Sequence, residues 1–152
     1  MDKTSGVLFV CTGNTCRSPM AEALARRFAG NAVFYSRGVA ASGGPASEMA
    51  IRILAERYGI DLSGHVSRPL TEADVRGAGL ILTMTASHRK HVSEMFPFAK
   101  DRLYTLYGLA FAVSDEKLLD IADPFMCGFD VYAACAAEIK RCIDSIDFSN
   151  YT

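Results

Sequence analysis

The chain has 152 residues, of which 50% are hydrophobic and 22% charged, and its net charge is −1. This suits one domain, residues 1–152, with a sizeable core, and gives no basic surface for nucleic acid. No apolar run approaches the roughly 20 residues of a membrane span. Five cysteines, an odd number behind a short polar start that does not read as a signal peptide, fit reduced thiols in the cytoplasm.

Val7-Leu8-Phe9-Val10 is a continuous apolar run, as expected of a strand covered on both faces. Gly13 and Asn14, the residues that most readily take positive φ, let the following loop curl. Ser18 is placed as an N-cap, with Pro19 at the first helical position. The helix then runs to about Ala29, with Ala21, Leu24, Ala25 and Phe28 on one face, and Gly30-Asn31 stops it. Residues 32–36 read as a second strand, Arg37-Gly38 as the start of a turn and residues 41–45 as loop. A second helix covers residues 47–58, with Gly59 just past its end. Thr71 caps a short helix with Asp74 as capping-box partner and a Leu70–Val75 staple. Residues 80–84 form the third strand, and Thr85 caps a helix through about Met95. Residues 103–106 form a fourth strand. The last helix spans about residues 129–146, with Val131, Cys135, Ile139, Cys142 and Ile146 as its inner stripe.

Alternation of strands and helices predicts an α/β domain with a mostly parallel sheet. Ligands in such folds bind beyond the carboxyl ends of the strands. Cys11 falls there, facing a helix start across a loop of backbone N–H groups, which is an anion nest. Arg17 adds a planar fork able to grip two oxygens of a phosphate. A nucleophilic sulfur and an oxyanion cradle in one loop suit phosphoryl transfer through a phosphocysteine. Cys11 as a mere core residue is the plainer alternative; the strand, the Cys-x5-Arg-Ser spacing, the proline and the helix together favour the nucleophile.

The matches at Cys11, Gly13, Asn14, Cys16, Arg17, Ser18 and Pro19 give a stretch that resembles the signature of the low-molecular-weight protein tyrosine phosphatases. The resemblance implies a flavodoxin-like order of four parallel strands, a three-layer fold, and no metal or other cofactor. It makes Thr12, Gly13, Asn14, Thr15, Cys16 and Ser18 the phosphate-binding loop around the catalytic Cys11 and Arg17. It also makes Asp123, in an Asp-Pro-aromatic motif, the general acid, and Phe125 a wall of the substrate pocket. On sequence alone Asp123 would pass for a turn residue. Asn14, Ser36 and His65 match residues that tie the loop in place, and Cys11 with Cys16 matches a reversible disulfide pair. Thr15 stands where many tyrosine-directed members carry an aliphatic residue, and it resembles the bacterial protein arginine phosphatases. The implied partner is a phosphorylated protein, met by a monomer. Arsenate reductase, in the same fold, needs two further cysteines mid-chain, and none lies between Cys16 and Cys127. A non-catalytic phosphoprotein-binding module would not need both Cys11 and Asp123. His88 and His91, in the charged run 87–91, read as solvated surface.

Overall fold

A computed structural model describes residues 6–151, so the Met1–Ser5 start lies outside it. Four parallel strands form the sheet: β1 (Val7–Cys11), β2 (Phe34–Gly38), β3 (Leu80–Thr83) and β4 (Leu103–Thr105), in spatial order β2-β1-β3-β4. All five residues of β1 are buried, as the unbroken apolar run requires of a central strand. Its side chains alternate between two cores. Val7 and Phe9 face a layer containing α1 (Arg17–Phe28), α2 (Glu48–Tyr58), α5 (Leu106–Phe111) and α6 (Phe129–Asp144). Leu8 and Val10 face the smaller layer of α3 (Glu72–Gly77) and α4 (Ala86–Met95). The result is the three-layer, flavodoxin-like arrangement expected. Among the described residues, no helix is long and apolar enough to cross a membrane.

The strand order reverses between β1 and β3, so a crevice opens at the carboxyl end of β1. Two connections close around it. Residues 39–47 and 59–70 touch each other through the Pro45–Val66 bridge and touch β2 through Gly38–Pro69.

Several local expectations shift. Helix α1 begins at Arg17 rather than Pro19: Ser18 lies inside it with its hydroxyl engaged by Cys11 and Asn14, and the cap residue Cys16 makes no side-chain capping bond. Phe28 is 43% exposed, and its ring meets Tyr58 edge-on at the helix end. Leu106 does not extend β4: the Thr105 hydroxyl accepts from Gly108 N and starts α5 instead. The buried face of α6 runs through Tyr132, Cys135, Ala136, Ile139, Cys142 and Ile143. Val131 is exposed, so the stripe is rotated by about one residue from the expected one. The Thr71–Asp74 capping box forms as expected, and Leu70 packs on the cluster holding Val75.

Candidate active site

Residues 12–16 leave β1 and turn back into α1. The loop's carbonyls are engaged outward. Cys11 O accepts from Val39 N (3.0 Å), Thr12 O from Ala40 N (2.8 Å), Thr15 O from Ser47 N (2.9 Å) and Cys16 O from Met20 N (3.1 Å). Asn14 O accepts from His65 Nε2 (2.8 Å), which makes that ring nitrogen the protonated one. Among the described residues, none of the N–H groups of residues 13–17 donates to a protein acceptor. These amides at the start of α1 are what an oxyanion requires.

Asn14 holds the curl. Its backbone is left-handed, φ 56°, and the residue is fully buried. Its Nδ2 donates to Ser18 Oγ (2.8 Å) and Ser36 Oγ (2.9 Å), while its Oδ1 accepts from Arg68 N (2.9 Å). The Ser36 hydroxyl in turn donates a hydrogen bond to Glu22 Oε1 (2.6 Å). Because Ser18 Oγ accepts from Asn14, its hydroxyl proton is free to point at Cys11 Sγ, 2.8 Å away. A serine donor thus sits on the buried sulfur.

The Arg17 side chain is almost wholly buried and reaches across the crevice. Its Nη1 donates to Ile121 O (2.8 Å) and its Nη2 lies 3.6 Å from Asp123 Oδ2. Segment 120–123 is held to the end of β3 by Ile121 N on Met84 O (2.8 Å) and by Asp120 Oδ1 on Ala86 N (2.9 Å). Asp123 is also a turn residue: its Oδ1 accepts from Phe125 N (3.0 Å). That turn presents Phe125, 61% exposed, at the rim. Cys11, Thr12, Gly13, Thr15, Cys16, Arg17, Asp123 and Phe125 line one cleft of about 210 Å³.

Cys16 does not turn to Cys11. Its sulfur lies 3.5 Å from Ser47 Oγ and 3.2 Å from Tyr132 Oη, and both cysteines are free thiols. Burial beside Cys16 pushes the Tyr132 phenol up to about 12. Among the described residues, no group of three or more His, Cys, Asp and Glu side chains could hold a metal ion.

Three neighbours of the loop were not anticipated. Gly38 is pressed against it: a Cβ there would lie 2.5 Å from Thr12 O and 2.9 Å from Asn14 N. The only sequence hint was a glycine after a strand. Tyr132 anchors Cys16 from α6. His88, expected at the surface, is buried, and its Nε2 sits 2.8 Å from Thr12 Oγ1. Counting from the Thr85 cap would have found it, since His88 is the third helical residue and shares its inward face with Val92.

The model of the low molecular weight phosphotyrosine protein phosphatase family matches residues 6–146. A protein-arginine-phosphatase of Geobacillus stearothermophilus is 39% identical over 142 residues, 92% of each chain. The low molecular weight protein-tyrosine-phosphatase Ptp of Acinetobacter johnsonii is 36% identical over 137 residues, 90% of this chain and 92% of that one. Among solved structures, a YwlE arginine phosphatase mutant with a phosphorylated active-site serine superposes with a TM-score of 0.84. It is 37% identical, covering 92% of this chain and 91% of that one.

Proposed function

The chain belongs to the low molecular weight phosphotyrosine protein phosphatase family and is a phosphatase, and on that footing we propose that Cys11, Arg17 and Asp123 are its catalytic residues and phosphoarginine on proteins its preferred substrate. The observation that carries the site is the convergence of those three side chains on one cleft, although Asp123 is far from the others in sequence. The phosphoryl group sits in the loop of Thr12, Gly13, Asn14, Thr15 and Cys16, on the free amides and Arg17. Cys11 Sγ attacks phosphorus; the S–P bond forms as the bond to the leaving nitrogen or oxygen breaks, and Asp123 gives that atom its proton. Water then attacks the phosphocysteine, Asp123 takes a proton from it, and inorganic phosphate leaves with Cys11 restored. Ser18 supports the sulfur, and Ser36 and His65 hold Asn14.

The protein-arginine-phosphatase relative supports the substrate reading, and so does Thr15. Its side chain lines the cleft and stays half-buried, with Oγ1 within 3.7 Å of Cys16 Sγ. A small hydroxyl side chain leaves room for a planar polar guanidinium. Phosphotyrosine is the second reading, favoured by the exposed Phe125 ring at the rim. Steady-state kcat/KM on matched phosphoarginine and phosphotyrosine peptides decides between them. The native protein should prefer phosphoarginine, and Thr15→Ile should move the ratio towards phosphotyrosine by about 10–200-fold, the scale of one pocket contact. An unchanged ratio removes Thr15 as selector.

Redox control belongs to the same reading. A peroxide oxidises Cys11 to the sulfenic acid. The Cys16 thiol attacks that sulfur and water leaves, giving a disulfide that a dithiol reduces. Cys16 must first leave Ser47 and Tyr132. The whole chain, 1–152, acts as a single domain, a monomer in the cytoplasm.

A further inference from the structure

Thr12 is the first residue after Cys11 and is exposed on the wall of the cleft. Its hydroxyl is not turned into the ring of amides. It is drawn to α4, where His88 Nε2 meets Oγ1 at 2.8 Å. His88 is 8% exposed, and its other ring nitrogen, Nδ1, is buried with no hydrogen-bond partner among the described residues. The catalytic steps above use neither nitrogen.

The ring can carry its one proton on either nitrogen when neutral. A proton on Nδ1 would be a buried N–H with no acceptor, which proteins rarely tolerate. A bare, unpaired lone pair is less costly. The proton therefore sits on Nε2 and is donated to Thr12 Oγ1. Burial, with the Arg17 guanidinium nearby, pulls the imidazole down to about 4, so the ring stays neutral at ordinary pH. Thr12 Oγ1 then holds a fixed acceptor contact on the α4 side, and its own O–H proton is free on the cleft side.

We propose that His88 is a positioning residue: by donating Nε2–H to Thr12 it fixes the threonine rotamer and presents the Thr12 hydroxyl to the substrate as a hydrogen-bond donor on the cleft wall. The group that meets it is an acceptor beside the transferred phosphorus, a non-bridging phosphoryl oxygen turned towards that wall. The assignment rests on the phosphatase reading of the cleft but not on the choice between phosphoarginine and phosphotyrosine.

The test has two readouts. Side-chain ¹⁵N shifts of His88, assigned by their loss in His88→Gln, should report the Nε2–H tautomer near neutral pH. An Nδ1–H tautomer overturns the proposal. In kinetics, His88→Phe fills the site without a donor and should lower kcat/KM about three- to tenfold, the scale of one hydrogen bond. His88→Gln, whose amide N–H can reach Oγ1, should return it to within about twofold of native. In a Thr12→Val background His88→Phe should cost less than about twofold, since the hydroxyl it positions is gone. Equal loss in both backgrounds, or no rescue by Gln, reduces His88 to packing and overturns the proposal. Should His88→Phe fail to fold, Thr12→Val and Thr12→Ser decide: loss in Val with near-native rates in Ser supports it, and native rates in Val overturn it. Rates are scored on whichever phosphopeptide the native protein prefers, so a phosphotyrosine preference sinks the substrate reading alone. An inactive native protein sinks the catalytic reading while the tautomer is still measured.

Discussion

Gly38→Ala tests the loop's geometry without touching any group that performs chemistry. Gly38 closes β2 opposite Cys11, and its backbone is clamped from both sides. Its N–H donates to Arg68 O (2.9 Å) and its carbonyl accepts from Leu70 N (2.9 Å). An added Cβ would lie 2.5 Å from Thr12 O, 2.9 Å from Asn14 N and 3.0 Å from Asn14 Cβ, all in the phosphate-binding loop. Ordinary contact needs about 3.5 Å, so the loop backbone must retreat by about 1 Å. The clamped strand cannot give way as easily. Overpacking of this kind costs about 1–3 kcal/mol of stability. A 1 Å misplacement of a catalytic frame costs about 10²-fold in rate. We therefore expect a folded protein, with a modest drop in Tm, whose kcat/KM falls about 10²-fold and whose inhibition by inorganic phosphate weakens in parallel. Gly44→Ala is the matched control, since nothing lies within 4 Å of a Cβ there. A Gly38→Ala enzyme within about threefold of native would refute the claim that loop position depends on this contact.

Asp123→Ala should slow turnover by about 10²–10⁴-fold, and less for substrates with acidic leaving groups; a uniform loss across a leaving-group series removes Asp123 as the acid. Burial pushes the Cys135 and Cys142 thiols up to about 12, so alkylation at neutral pH should spare both while labelling Cys11, with phosphate protecting Cys11 competitively; mass spectrometry that finds Cys135 labelled as fast contradicts this. His88 is held at about 4 against 6.5 when unfolded, so acid favours the unfolded chain: stability is unaffected above pH 7 and is lost as pH falls from 6.5 through 4. The loss is at most about 3 kcal/mol. Urea denaturation of the native protein and His88→Gln should converge in stability as pH falls from about 7 to 4.5, and parallel curves would rule the linkage out.

What the sequence made legible was local. The apolar run of β1 and the Thr71–Asp74 capping box each depend on residues a few positions apart, and each forms as expected. Misreadings arose where a side chain had a second, distant use. Ser18 looks like a helix cap but its hydroxyl is committed to Cys11 and Asn14, so α1 starts earlier. The buried face of α6 includes Tyr132, which reaches Cys16, a contact that periodicity alone does not reveal. His88 hid in a run of charged residues because its partner, Thr12, lies 76 positions away. The Arg17–Asp123 contact was available only through family resemblance, since no local pattern links a loop after β1 to a turn before α6.

Asn14 shows why this loop uses asparagine where glycine would fit the backbone more easily. A left-handed conformation costs an ordinary residue roughly 1–2 kcal/mol, and glycine would avoid that. Glycine would also remove three hydrogen bonds, to Ser18, Ser36 and Arg68 N. At about 0.5–1.5 kcal/mol each, those bonds offset the strain. They also have a consequence that stability does not measure. Filling Ser18 Oγ with the Asn14 amide proton directs the serine's own proton to Cys11 Sγ, and binding Ser36 Oγ directs that serine's proton to Glu22. One buried side chain therefore curls the loop so that its amides face an anion, fastens it to β2 and to the segment before α3, and sets the donor on the nucleophile. The strain at Asn14 is thus the local cost of orienting the reacting sulfur and the oxyanion site together.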